Sequence, residues 1–351
     1  MIGLMSGTSL DGLDIAYCEF EKNNKWKYKI IHAKTIIYTK EWKKKLSAAY
    51  KRRPNDVSDI DNAFGAFIAN EVLKFTKRQK IKPDFISSHG HTVFHEPDKG
   101  ITVQIGSGQV ISALCKLPVV CDFRSGDVAM GGQGAPLVPL VDRLLFSEYE
   151  YCLNLGGFAN ISYNDSRGKR VAFDVCPVNI VLNRLANHFR KEFDRSGNIA
   201  SQGKINDNLL KKLNSLSFYS SKPPKSLGRE WMEKTFLPAL HFFDISVKDK
   251  LRTVVEHVAI QVSLIVNLHF KVDRKKILIT GGGVYNRFLM KRIVSHANAN
   301  VALPDDKTIQ FKEAMAFSFL GVLRMRNEVN ILKSVTGAKK DSSGGKIYDL
   351  D

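Results

Sequence analysis

The 351-residue sequence lacks any run of about 18 uncharged apolar residues, the length a membrane-spanning helix requires. Its start, MIGLMSGTSLDG, has no basic segment and soon turns polar, so it does not read as a secretory signal, and the fold is expected to begin at Met1. Cysteine is sparse. Cys18, Cys115, Cys121, Cys152 and Cys176 form no CxxC pair and mostly sit in apolar surroundings, which reads as a set of reduced core thiols in a cytoplasmic chain. Acidic residues are also short: 35 Asp and Glu face 53 Lys and Arg, a formal net charge of +18. Such an excess raises nucleic-acid binding. However, the clusters Lys43-Lys44-Lys45, Lys51-Arg52-Arg53, Lys77-Arg78 and Arg274-Lys275-Lys276 are short and flanked by apolar residues. No long basic tail, zinc-finger spacing or aromatic RNP string accompanies them. The charge reads as a lysine-rich solvated surface, with a field that attracts small anions as the functional alternative and nucleic-acid binding third.

What is present is ordinary globular composition, 44% hydrophobic and 25% charged, which excludes global disorder. The length suggests about two domains. Residues 3–20 read as a strand–turn–strand hairpin, and residues 27–38 continue as strand. Residues 55–80 place Ile60, Phe64, Phe67, Ile68, Val72, Leu73 and Phe75 on one helical face. Residues 84–88, 102–105 and 118–122 are strand-like, and 109–115 reads as a short helix. A second series then begins, with strands at 151–155, 160–163 and 171–174, helices at 180–193 and 247–270, a strand at 276–280 and a last helix at 313–326. Residues 194–229 are polar and proline-bearing and read as an insertion or lid. The pattern predicts two similar α/β lobes rather than a short repeat.

Three glycine turns suit phosphate binding, each with a plain turn as the alternative. The first spans Gly7, Thr8, Ser9, Leu10, Asp11, Gly12, Leu13 and Asp14, with hydroxyls, amides and carboxylates that suit a phosphate and hydrated magnesium. It is not a Walker loop, because no GKS or GKT follows. The second is Gly156-Gly157 after a buried strand; the third is Gly281-Gly282-Gly283 with Asn286. Asp174, before a proline turn, reads as a general base or as a helix cap. In SSHGHTVFHEP, His91 and His95 could ligate a metal only on a helix, and Thr92-Val93-Phe94 favours a strand. A polar loop at a substrate cleft, with His89, Gly90 and His91 within reach, is preferred, and structural histidines are the plain alternative. In DFRSGDVAMGGQGAP, Arg124 could grip a phosphate or carboxylate, and the run from Gly131 through Gln133 to Gly134 could admit a sugar.

Taken in order, MSGTSLDG, SSHGHT, QIG, DFRSGDVAMGGQGAPLVP, NLGG, FD-x-x-P-x-N, KSLGRE, GGG-x-x-N, EAMAF and SVTGA resemble the anhydro-N-acetylmuramic acid kinase family, from about residue 2 to 338. The resemblance implies the two-lobed α/β actin-like ATPase fold of the sugar kinase, Hsp70 and actin superfamily, with the active site in the interlobe cleft. The expected lobes are 1–125 and 126–312, the helix near 313–333 packing back on the first, and 334–351 forming a loose tail. The implied reaction uses ATP and Mg2+ to phosphorylate the 6-oxygen of 1,6-anhydro-N-acetylmuramic acid while water opens the anhydro bridge. A cytoplasmic homodimer acting on a small anionic sugar, without nucleic acid or membrane partners, is implied.

By motif position, Asp174 matches the catalytic base. The three glycine turns with Asn286 match the ATP contacts, and His89, Gly90, Arg124, Gln133 and Asn179 the substrate contacts. Asp11 and Glu313 are candidates for orienting magnesium. Two departures stand out. Asp174-Val175-Cys176-Pro177-Val178-Asn179 replaces the family's DTGPGN, and His91 replaces the glutamine of SHGQT, which would make that contact depend on pH. A metal-dependent transferase or ATPase on the same fold is the alternative.

Overall fold

A computed structural model describes residues 1–54, 56–268 and 275–349. Arg274, the end of the helix expected at 247–270, and residues 350–351 therefore lie outside the described residues. The strands in chain order are β1 (Ile2–Ser6), β2 (Gly12–Lys22), β3 (Trp26–Ile37), β4 (Ile86–Glu96), β5 (Ile101–Ile105), β6 (Val119–Cys121), β7 (Tyr151–Leu155), β8 (Phe158–Asn164), β9 (Arg170–Pro177), β10 (Lys275–Thr280), β11 (Ala299–Ala302) and β12 (Lys346–Tyr348). They form two sheets, ordered β12-β6-β4-β1-β2-β3, with β5 added to β4, and β11-β10-β7-β8-β9.

The two sheets repeat one plan. In each, an antiparallel three-strand meander, β1-β2-β3 or β7-β8-β9, is joined through its first strand to parallel strands, β4 and β6 or β10 and β11. Parallel neighbours need helical crossovers, and helices supply them. The helix α1 (Ser58–Gln79) enters β4; it buries Ile60, Phe64, Ile68, Val72 and Phe75, carries Asp59 and Asp61 in its first turn, and stops at Lys80 in the left-handed region. The helix α2 (Val247–Leu268) enters β10 with Leu251, Val254, Val255, Val258 and Val262 buried. The α/β two-lobed fold expected from the sequence is thus present as two duplicated units.

The chain divides into Met1–Leu145 with Phe311–Asp351, and Phe146–Gln310. The first break falls twenty residues beyond the expected 125/126 boundary, because the helix Val138–Leu145 buries Leu140, Val141 and Leu145 and belongs to the first unit. The last long helix, α3 (Asp306–Met325), starts earlier than expected and leaves helical geometry at Phe311 (φ −115°, ψ 16°), where the units divide.

Residues 334–349 are not a loose tail. β12 pairs antiparallel with β6, Asn330 donates to the Leu320 and Gly344 carbonyls at 3.0 and 2.8 Å, and Val335 and Ala338 are buried. Likewise 194–229 is no separate insertion: Leu209 and Leu213 join the second unit's core, Leu216 and Tyr219 pack against it, and the Asp194 carboxylate accepts from the Ile199 and Ala200 amides. Short polar stretches hid these anchors. The helix expected at 180–193 ends at Ala186, tightens into a 3-10 turn over Asn187–Phe189 and stops where Arg190 turns left-handed. All five cysteines are buried free thiols, as expected.

Candidate functional site

In the second unit, three predicted segments converge at the C-terminal ends of the parallel pair β7 and β10. The Asn179 side chain donates to the Leu155 carbonyl at 3.1 Å, and its amide to the Gly156 carbonyl at 3.3 Å. A Cβ on Gly282 would meet nothing nearer than Asn179 Nδ2 at 3.9 Å, and one on Gly157 nothing nearer than Ile180 Cβ at 3.8 Å. Packing therefore does not require glycine at these two exposed positions, which leaves their backbone open to approach. Gly281 and Gly283 differ. A Cβ there would strike Asn154 Oδ1 at 2.5 Å and Leu155 Cβ at 2.7 Å, so these glycines seat β10 against β7. The amides opening the helix Asn179–Ala186 add a partial positive end to the cradle. Asn286 lies in its expected turn but caps the next helix, its Oδ1 accepting from the Leu289 amide at 3.0 Å. That use explains its place without a nucleotide.

Asp174 lies within β9 rather than at its end and caps no helix. A bulge at Val175, opposite Ala159 and Asn160, re-aims this part of the strand. The Asp174 amide donates to the Lys225 carbonyl at 3.1 Å, and Asp174 Oδ2 accepts from the Leu227 amide at 2.8 Å. The KSLGRE segment is thereby stitched along β9. Burial raises the Asp174 pKa, and the Leu227 hydrogen bond opposes part of that rise. Oδ1 has no hydrogen-bond partner among the described residues.

In the first unit, the loop from Gly7 to Asp11 joins β1 to β2 and exposes Thr8, Ser9 and Asp11. Gly7 is uncrowded, its would-be Cβ meeting only Ser9 Oγ at 3.5 Å. Gly12 is different, because a Cβ there would lie 2.5 Å from the Ile36 carbonyl oxygen. It permits close β2–β3 pairing, which accounts for this glycine without a ligand. Leu13 is likewise a core residue, 1% exposed. Leu10 adopts a positive φ of 60° and closes the turn.

Asp14 accepts a 2.5 Å hydrogen bond from Thr35 Oγ1. Burial raises its pKa, and Asp11 adds to the rise. Glu313 keeps accessible surface yet lies deep among protein atoms, so burial, then the Asp14 charge, raises its pKa against the pull of Lys312 and Arg124. The carboxylate coupled to Glu313 is thus Asp14 rather than Asp11, and Glu313 makes no hydrogen bond or ion pair among the described residues.

The SSHGHT segment is not a polar loop. His89, Gly90 and His91 are buried inside β4, and a Cβ on Gly90 would meet the Ile105 carbonyl oxygen at 2.6 Å. Both His89 nitrogens are engaged. Nδ1 bonds the Gly90 carbonyl at 3.0 Å, while Nε2 receives Arg124 Nε at 3.1 Å and Nη2 at 2.9 Å. Neither His89 nor buried Gly90 presents a polar side-chain group to a substrate, which corrects that expectation. His91 Nδ1 bonds Ser6 Oγ at 2.9 Å, and burial lowers its pKa to about 4, so it stays neutral near pH 7. Its expected pH-dependent contact is absent.

Asp127 carries no expected role, yet it organises the following loop. Its carboxylate accepts from the Gly134 amide and the Thr336 hydroxyl, each at 2.8 Å. A Cβ on Gly132 would lie 2.2 Å from Asp127 Oδ2. Gly132 and Gly134 therefore wrap the chain around a buried carboxylate. Gln133 remains exposed, its side chain 3.3 Å from Asp98 Oδ1. Arg124 completes the group by donating Nη1–H to the Gly134 carbonyl at 2.7 Å. No cluster of three or more His, Cys, Asp or Glu side chains suited to a metal occurs among the described residues. No described helix is long and apolar enough to cross a membrane.

A family model described as anhydro-N-acetylmuramic acid kinase matches residues 1–350. The anhydro-N-acetylmuramic acid kinase of Mannheimia succiniciproducens is 34% identical, with 99% of this chain and 98% of the relative covered. That of Pseudomonas fluorescens is 35% identical over the same shares. That of Caldanaerobacter subterraneus is 32% identical, with 99% and 96% covered. Among solved structures, the (R)-2-hydroxyglutaryl-CoA dehydratase component A of Acidaminococcus fermentans aligns with TM-score 0.46 and 10% identity, covering 90% of this chain and 94% of that one.

Proposed function

The chain belongs to the anhydro-N-acetylmuramic acid kinase family, and on that premise we propose how its residues divide the work. The reaction transfers the γ-phosphoryl group of ATP to the 6-oxygen of 1,6-anhydro-N-acetylmuramic acid. Water opens the anhydro bridge, and the products are N-acetylmuramic acid 6-phosphate and ADP, a step of cell-wall recycling.

Asp174 is the general base. It takes a proton from the water that attacks the anomeric carbon; the bond from that carbon to the 6-oxygen breaks, and the 6-oxygen takes the phosphoryl group. Glycosidic cleavage commonly uses two carboxylates, one to protonate the leaving oxygen. Here phosphoryl capture of that oxygen replaces the acid, so one carboxylate suffices. The observation that carries the assignment is the Leu227 amide on Asp174 Oδ2, which orients Oδ1 and leaves it to accept the proton. Burial raises its basicity to suit the task.

Gly157, Gly282 and the amides near Asn179 form an uncrowded, electropositive cradle for the nucleotide. The loop Gly7–Asp11 offers amides and hydroxyls to phosphate. Asp14 and Glu313, the first of which raises the cost of ionising the second, would hold magnesium with water and phosphate oxygens completing its shell. The cation supplies neutralisation of phosphate charge. Arg124 binds an anionic group of the substrates, phosphate or lactyl carboxylate. The protein works in the cytoplasm as a homodimer on these small anions, without nucleic acid or membrane partners, a reading supported by family membership. Replacing Asp174 with Asn should lower kcat by about 10²–10⁴-fold in an ADP-release assay, and near-full activity would refute the base assignment.

A further inference from the structure

We infer that His89 is a positioning residue: a neutral clamp that fixes the Arg124 guanidinium without cancelling its charge. A guanidinium has five N–H donors and no acceptor. Two of those donors converge on His89 Nε2, at 3.1 and 2.9 Å, so Nε2 must be the unprotonated nitrogen. The ring proton then sits on Nδ1, where the Gly90 carbonyl accepts it at 3.0 Å. The Phe317 ring lies against the imidazole with centroids 4.4 Å apart and holds its plane. The Gly134 carbonyl accepts a third Arg124 N–H at 2.7 Å, and Asp127 fixes Gly134 in turn. One N–H on each terminal nitrogen remains, the number a two-oxygen anion takes.

The choice of clamp matters. A carboxylate in place of His89 would hold the arginine more tightly but would neutralise it. An imidazole kept neutral by burial beside a cation holds the geometry and leaves the full charge. Glu313 is a charged neighbour coupled to Arg124, yet it makes no ion pair with it among the described residues. This deepens the proposed function, because it rests on Arg124 as the anion contact.

The test compares His89→Gln, a neutral acceptor, with His89→Glu, an ionisable one, and His89→Leu, which accepts nothing. All three should be confirmed folded by melting curves. His89→Gln should keep the KM of the Arg124-bound substrate within about threefold. His89→Glu and His89→Leu should raise it by about tenfold or more, with smaller changes in kcat. Equal KM values for the Gln and Glu variants would overturn the neutral-clamp role. An independent readout is the nitrogen-15 spectrum of His89 in the full chain at neutral pH. A protonated Nδ1 with an unprotonated Nε2 is expected; an Nε2–H tautomer or an imidazolium would overturn the assignment. The spectrum reads the clamp even if wild-type protein fails to turn over the anhydro sugar, so failure of the function and failure of the clamp are distinguishable.

Discussion

At Asp174, the proposed general base, the catalytic role and stability pull in opposite directions. Its folded pKa is raised above the ordinary value of 3.8 by burial. Folding therefore favours the protonated form: the stability it contributes is fully present below the unfolded pKa and is lost as pH rises through the folded one. At neutral pH the ionised carboxylate is a cost the fold carries for the reaction. Asp174→Asn stays neutral and keeps an oxygen for the Leu227 amide, so its Tm at pH 7 should equal or exceed that of wild type. In wild type, kcat/KM should fall as pH drops through the raised pKa, and residual Asn-variant activity should lack that acid limb. A variant that melts well below wild type at pH 7 would contradict this account. Asp174 could be singled out from its place before Pro177, but its anchor could not. Leu227 is 53 residues away in sequence, and no local spacing announces a backbone amide that arrives from another segment.

At the scale of elements, glycine-rich turns follow the corresponding strands β1 and β7, and a third follows β10, as the sequence indicated. What the letters could not do was sort the glycines. Gly12 meets the Ile36 carbonyl, while Gly282 meets nothing closer than 3.9 Å, yet both are glycines in a turn motif. The two should separate on substitution. Gly12→Ala should destabilise the protein by about 1–3 kcal/mol through backbone displacement, read as a lower denaturation midpoint. Gly282→Ala should leave the midpoint unchanged and raise the KM for ATP by about tenfold. A stable Gly12→Ala, or a Gly282→Ala with normal ATP affinity, would show that the sorting is wrong. The same limit explains His89. A histidine-rich polar string reads as exposed, and only the pairing of β4 with β1, β5 and β6 reveals that these side chains are buried. Asp127 was missed because its partners, Gly134 and Thr336, include one 209 residues distant.

Across the whole molecule, the sequence conveyed the duplication because each unit repeats hairpin, strand and crossover helix in order. The ends of the units were harder to read. A strand of three residues, Lys346–Tyr348, is too short for periodicity to signal, yet it completes the first sheet. The net charge of +18 belongs to a kinase of two anionic substrates, and the residues proposed to carry the chemistry lie outside its lysine clusters. The most direct test of the whole account is an ADP-release assay with 1,6-anhydro-N-acetylmuramic acid compared against ordinary N-acetylmuramic acid, at equal ATP and magnesium. The account predicts rapid ADP release with the anhydro sugar and little with the open one, whose anomeric carbon offers no bridge for the Asp174-activated water to open. Equal turnover of the two sugars would contradict it.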